Sequence, residues 1–148
     1  MKNKFSIRIN GNDAEMLSVS LHDILALIDE GPILKWSVLW IHGTGDLGVN
    51  KNMLDFEDQV KNSSLGVFYT WDELVALSKK FKQLIELVLI GASSVRTLKR
   101  YDDDNIMHSL CQYTIELIDS SYWEIHSLNI DTLQKMEDEL AGVEFIKE

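Results

Sequence analysis

The sequence predicts an α+β fold: a largely antiparallel sheet with one long helix over residues 71–90 and shorter helices packed on it. Three observations carry this expectation. Residues 4–10 alternate apolar and polar side chains, residues 111–128 hold two further alternating runs joined by a short polar loop, and residues 71–90 place apolar side chains at helical spacing behind a capping signal. A chain of 148 residues fits a single domain, and at this length roughly two thirds of the unfolded surface can be buried, so a core needs no cross-links. Cys111 is the one cysteine and has no internal partner, which suits a reducing compartment. Basic residues near the N-terminus precede no apolar run of signal-peptide length, and no later window approaches a membrane span. A cytoplasmic location is therefore expected.

Taken in order, Phe5, Ile7 and Ile9 alternate with Ser6, Arg8 and Asn10, a strand with one buried face. A turn at Gly11, Asn12 and Asp13 leads to Met16, Leu17, Val19 and Leu21, read as a second strand forming a hairpin with the first. Residues 22–30 suit a short helix, stopped by Gly31 and Pro32. Residues 33–42 are nearly continuously apolar and rich in β-favouring side chains, which marks a central strand. After the glycine-rich turn of residues 43–48, Met53, Phe56 and Val60 recur at helical spacing on a charged segment, an amphipathic helix. Residues 65–69 form a short strand.

Thr70 followed three residues later by Glu73 is a capping box, and Leu74, Leu77, Phe81, Leu84 and Val88 then line one stripe up to Gly91. Residues 93–100 are a basic connector and residues 101–105 a hydrophilic loop. In the hairpin of residues 111–118 and 122–128, a three-residue loop at Asp119, Ser120 and Ser121 sets Glu116 opposite Glu124 and Thr114 opposite His126. Asp131 caps a last helix over residues 130–140, with Gln134 at the capping-box position, and Val143, Phe145 and Ile146 either add a short strand or tuck onto the core.

Charge is distributed unevenly. Residues 101–148 hold twelve Asp and Glu against Lys135 and Lys147, which accounts for the whole net charge of −10. Such a balance argues against binding a nucleic-acid backbone or an anionic membrane, both of which need clustered Lys and Arg. Solubility explains an acidic excess in general, but it does not require segregation. Like charges opposed on a sheet are destabilising, so Glu116 against Glu124, with Asp102, Asp103 and Asp104 before them and Glu137, Asp138 and Glu139 after, raises the cost of folding. Two readings stay open. A basic partner relieves the repulsion, or Lys79, Lys80, Lys82, Arg96, Lys99 and Arg100 cover these acids within the fold. Tyr101 and Tyr122 are surface aromatics suited to anchoring a partner, whereas Trp123 points to the core with Ile125.

Other motifs are weaker. GTGDLG at residues 43–48 has the spacing of a dinucleotide loop, but Val49, Asn50 and Lys51 separate its last glycine from any helix, and Val49 stands where a P-loop needs lysine. A small-molecule or nucleotide-binding domain built on that turn is the alternative function. His108, Cys111 and His126 are too sparse for a zinc pattern, and no metal or other cofactor is expected. No nucleophile, base and acid can be assembled by spacing, so no enzymatic activity is expected.

A small acidic α+β chain without a catalytic constellation resembles the bacterial immunity proteins paired with secreted toxin domains, including those of contact-dependent growth inhibition. The resemblance implies a protein that neutralises a basic cognate toxin domain, such as a nuclease, by covering it with acidic residues. The partner-binding residues expected from the charge pattern are Tyr101, Asp102, Asp103, Asp104, Glu116, Tyr122, Glu124 and His126.

Overall fold

The computed structural model describes residues 4–11 and 18–146. Strands β1 (Phe5–Asn10), β2 (Lys35–Gly45), β3 (Val67–Tyr69), β4 (Phe81–Ala92), β5 (Tyr113–Ile118), β6 (Tyr122–Ser127) and β7 (Val143–Phe145) form one sheet. Its order is β3-β2-β4-β5-β6-β1-β7, and every neighbouring pair is antiparallel. The helices are α1 (Leu21–Leu25), α2 (Met53–Asn62), α3 (Trp71–Ser78), α4 (Asp104–Leu110) and α5 (Ile130–Glu139).

Alternation along the strands divides the core between the two faces of the sheet. On one face Ile7, Ile9, Trp36, Leu87, Leu89, Tyr113, Ile115, Trp123 and Ile125 meet Ile24 and Leu25 of α1, Leu74 of α3, and Leu133 and Met136 of α5. Trp36 centres this cluster, 5.4 Å from Trp71 and 6.0 Å from Tyr113 between ring centroids, with its indole N–H donating to the Gly31 carbonyl. Gly91 passes directly over Trp36, and a Cβ there would lie 2.5 Å from the ring, so the position admits only glycine. On the opposite face Leu39, Ile90 and Ala92 meet Leu98, Met107 and Cys111, a smaller cluster closed by the connector after β4 and by α4.

The α+β class and the antiparallel sheet agree with the sequence reading. The long helix over residues 71–90 does not form. α3 stops at Ser78, and β4 follows as a central strand between β2 and β5. Leu87 and Leu89 face the main cluster while Ile90 and Ala92 face the smaller one, so the second half of β4 is buried on both sides and lacks the alternation that marks a half-exposed strand. An apolar run of this kind matches helical spacing equally well. The capping box itself is present: Thr70 Oγ1 accepts from the Glu73 N–H, and Glu73 accepts from the Thr70 N–H.

Other elements shift as well. β1 pairs with β6 and β7 on its two edges, not with a following strand; of the segment read as that strand, residues 15–17 lie outside the described residues and Leu21 opens α1. Gly43 and Gly45 belong to β2, where a Cβ would meet the Gln83 carbonyl of β4 at 2.4 Å and the Lys80 carbonyl just before β4 at 2.5 Å. These two glycines of the GTGDLG stretch admit a neighbouring strand at places where the ladder shifts register. The hydrophilic loop beginning at Tyr101 gives way to α4, capped by Asp103, and α5 is capped by Asn129, not by Asp131.

Candidate functional site

The hairpin of β5 and β6 has the register expected from the sequence, with Glu116 opposite Glu124, Thr114 opposite His126 and Leu117 opposite Trp123. Odd-numbered residues enter the main core, which turns Glu116, Tyr122, Glu124 and His126 to the other face. That face is not open to solvent along its whole length. α4 lies over it with Met107 and His108 buried, and the His108 ring stacks on His126 at 3.5 Å between centroids, 10° from parallel.

The result is a compact polar cluster. His126 is buried, with Nδ1 2.7 Å from Ser6 Oγ and Nε2 3.0 Å from Glu124 Oε1. Glu124 Oε2 in turn lies 3.4 Å from Arg8 Nη2, and the Arg8 guanidinium sits 4.4 Å above the Tyr122 ring. Glu116 is half-buried, and its Oε1 lies 3.5 Å from His108 Nε2. That nitrogen is buried and makes no hydrogen bond among the described residues. Burial, and then the neighbouring His108, holds His126 below the usual histidine range, while the hydrogen bond to Glu124 and the charges of Glu116 and Glu124 pull the other way.

The opposed glutamates are thus compensated from an unexpected quarter. The cation is Arg8, which β1 brings alongside β6 at the position facing Glu124. Arg100 instead donates to the Ser63, Leu39 and Val60 carbonyls at 3.0, 2.7 and 2.6 Å, tying α2 to β2. Lys99 lies over Tyr101, and among the described residues no ion pair joins Lys79, Lys80, Lys82 or Arg96 to an acid of the last third. Among the described residues, then, no ion pair ties the middle third to these acids.

The remaining acids separate. Asp102, Asp103 and Asp104 are exposed at the start of α4, on the face that carries the histidines. Glu137, Asp138 and Glu139 are exposed on α5, whose Leu133 and Met136 enter the main core on the other face. Tyr101 is half-buried against the smaller cluster, its hydroxyl donating to the Thr97 carbonyl and its pKa pushed up to about 12 by burial.

Two features of α4 escape a reading by sequence. Ile106 and Leu110 are 50% and 53% exposed and lie one turn apart on its outer surface. With Met107, His108 and Cys111 turned inward, the helix presents an apolar stripe to solvent directly after the aspartate triplet. His108 was visible as a residue but not as a neighbour of Glu116, because only the position of α4 brings them together; Cys111, three residues on, belongs to the smaller apolar cluster. No protein-family model matches this chain, and no curated protein or solved structure is significantly similar to it.

Proposed function

We propose that this chain is a binding protein that occludes a basic protein partner, in the manner of toxin immunity proteins, with α4 as the principal contact element. The observation that supports this reading is the pairing of the exposed Ile106 and Leu110 of α4 with the exposed triplet Asp102, Asp103 and Asp104 that leads into it. An apolar centre bordered by charge is the usual anatomy of a specific interface. A cluster of exposed aspartates also selects a cationic surface and accelerates encounter with it. Glu116, Glu124 and His126 then serve inside the domain, holding α4 and the hairpin together, and the two glutamates contribute to the partner surface through the field of their charge.

The test is co-expression with the product of the adjacent gene, followed by measurement of affinity at several salt concentrations. A complex that weakens with salt, and loses about tenfold in affinity on Leu110→Ser, supports the reading, since buried interface anchors typically contribute about 1–2 kcal/mol each. Failure to form a complex at low salt, or unchanged affinity when Asp102, Asp103 and Asp104 are replaced by Asn, would overturn it.

A further inference from the structure

We propose that His108, Glu116 and His126 form a binding site for a divalent transition metal of the zinc class. The three side chains come from α4, β5 and β6, and one donor atom of each lies within 4.8 Å of the others. Two imidazoles and a carboxylate are a donor set suited to zinc and its neighbours. The independent sign is His108, only 7% exposed, whose Nε2 is buried without a hydrogen-bond partner and faces Glu116 Oε1 at 3.5 Å. Buried ring nitrogens are normally satisfied. A cation between them would pair this nitrogen and the half-buried Glu116 carboxylate at once.

The surroundings have the supporting contacts such a site requires. Without metal, His126 Nε2–H donates to Glu124 Oε1 and Nδ1 accepts from the Ser6 hydroxyl at 2.7 Å; with metal on Nε2, the hydrogen sits on Nδ1 and donates to Ser6 Oγ instead. Glu124 Oε1 lies 3.0 Å from the same Nε2, within reach of a fourth position, while Arg8 holds its other oxygen. Tetrahedral coordination with bonds of about 2.0–2.2 Å sets ligand atoms about 3.4 Å apart. His108 Nε2 and Glu116 Oε1, at 3.5 Å, already have that spacing; binding draws the wider pairs, up to 4.8 Å, together by up to about 1.4 Å and opens the parallel histidine stack, the His108 ring turning on α4. Its consequence is mechanical: the ion clips α4 onto the hairpin. The inference stands apart from the proposed partner, because metal binding is measured on the chain alone.

The experiment is a calorimetric titration of the chelator-treated full chain with Zn²⁺, repeated with Co²⁺ to read its visible absorption. One ion per chain, a rise in melting temperature and Co²⁺ bands of a tetrahedral centre are expected. Glu116→Gln, which is isosteric and leaves the hairpin packed, weakens binding at least about tenfold, and His108→Ala weakens it further. His42→Ala leaves it unchanged, since His42 pairs with Glu57 at 3.1 Å elsewhere on the surface. No binding at micromolar Zn²⁺, or binding that survives both Glu116→Gln and His108→Ala in variants shown to be folded by circular dichroism, overturns the proposal.

Discussion

Replacing Arg8 by alanine tests how the acidic hairpin is held together. Arg8 Nη2 lies 3.4 Å from Glu124 Oε2, with side chains 38% and 21% exposed. At such partial exposure the pair is screened, and its net worth is about 0.5–1 kcal/mol. The stacking of the guanidinium on Tyr122 at 4.4 Å adds about 0.5 kcal/mol. Removing the cation also leaves Glu116 and Glu124 opposed across the strands, an arrangement that costs a further few tenths of a kcal/mol, up to about 1. Arg8→Ala is therefore expected to destabilise the fold by about 1–2.5 kcal/mol in urea unfolding, with an unchanged denaturant slope. In a Glu124→Gln background the same substitution should cost only the stacking contribution, about 0.5 kcal/mol. Equal costs in the two backgrounds would refute the assignment of Arg8 as the compensating charge.

Three further outcomes follow from the geometry. Gly91→Ala forces a Cβ to 2.5 Å from the Trp36 ring between packed strands, and should lower stability by about 1–3 kcal/mol in the same unfolding assay. The Cys111 thiol is buried and pushed up to about 11 by desolvation, so a thiol reagent at neutral pH should label the native chain far more slowly than the urea-unfolded one; equal rates would contradict its placement. Hydrogen bonds from Thr70 hold the Glu73 carboxyl below its usual value of 4.5. A depressed carboxylate contributes stability above its unfolded pKa and loses it as pH falls through the folded one. The melting-temperature gap between the native chain and Glu73→Gln should accordingly be widest near neutral pH and close in acid, and a gap independent of pH would dismiss the capping carboxylate.

Legibility in the sequence followed the locality of the signal. The β5 and β6 hairpin is readable because register, turn and alternation lie within a few residues of one another, and Glu116 opposite Glu124 follows directly. The capping box at Thr70 and Glu73 is equally local. β4 is not readable, because burial on both faces erases the alternation that would separate it from a continuing helix. α4 carries too little apolar periodicity to announce itself in seven residues, and its outward Ile106 and Leu110 run against the expectation that apolar residues face inward. Arg8 and Glu124 are separated by 116 positions, and only the insertion of β1 between β6 and β7 makes them neighbours. Charge composition locates the acidic third of the chain; the division of its acids between two faces and a buried cluster is a property of topology.

The proposed docking role of α4 is tested most directly by amide hydrogen exchange, measured on the chain alone and with the product of the adjacent gene. Slowed exchange across residues 102–110 on adding that protein, attenuated by salt and by Leu110→Ser, is the expected result. Unchanged exchange in α4, with any protection confined to α5 or to residues 43–48, would contradict it.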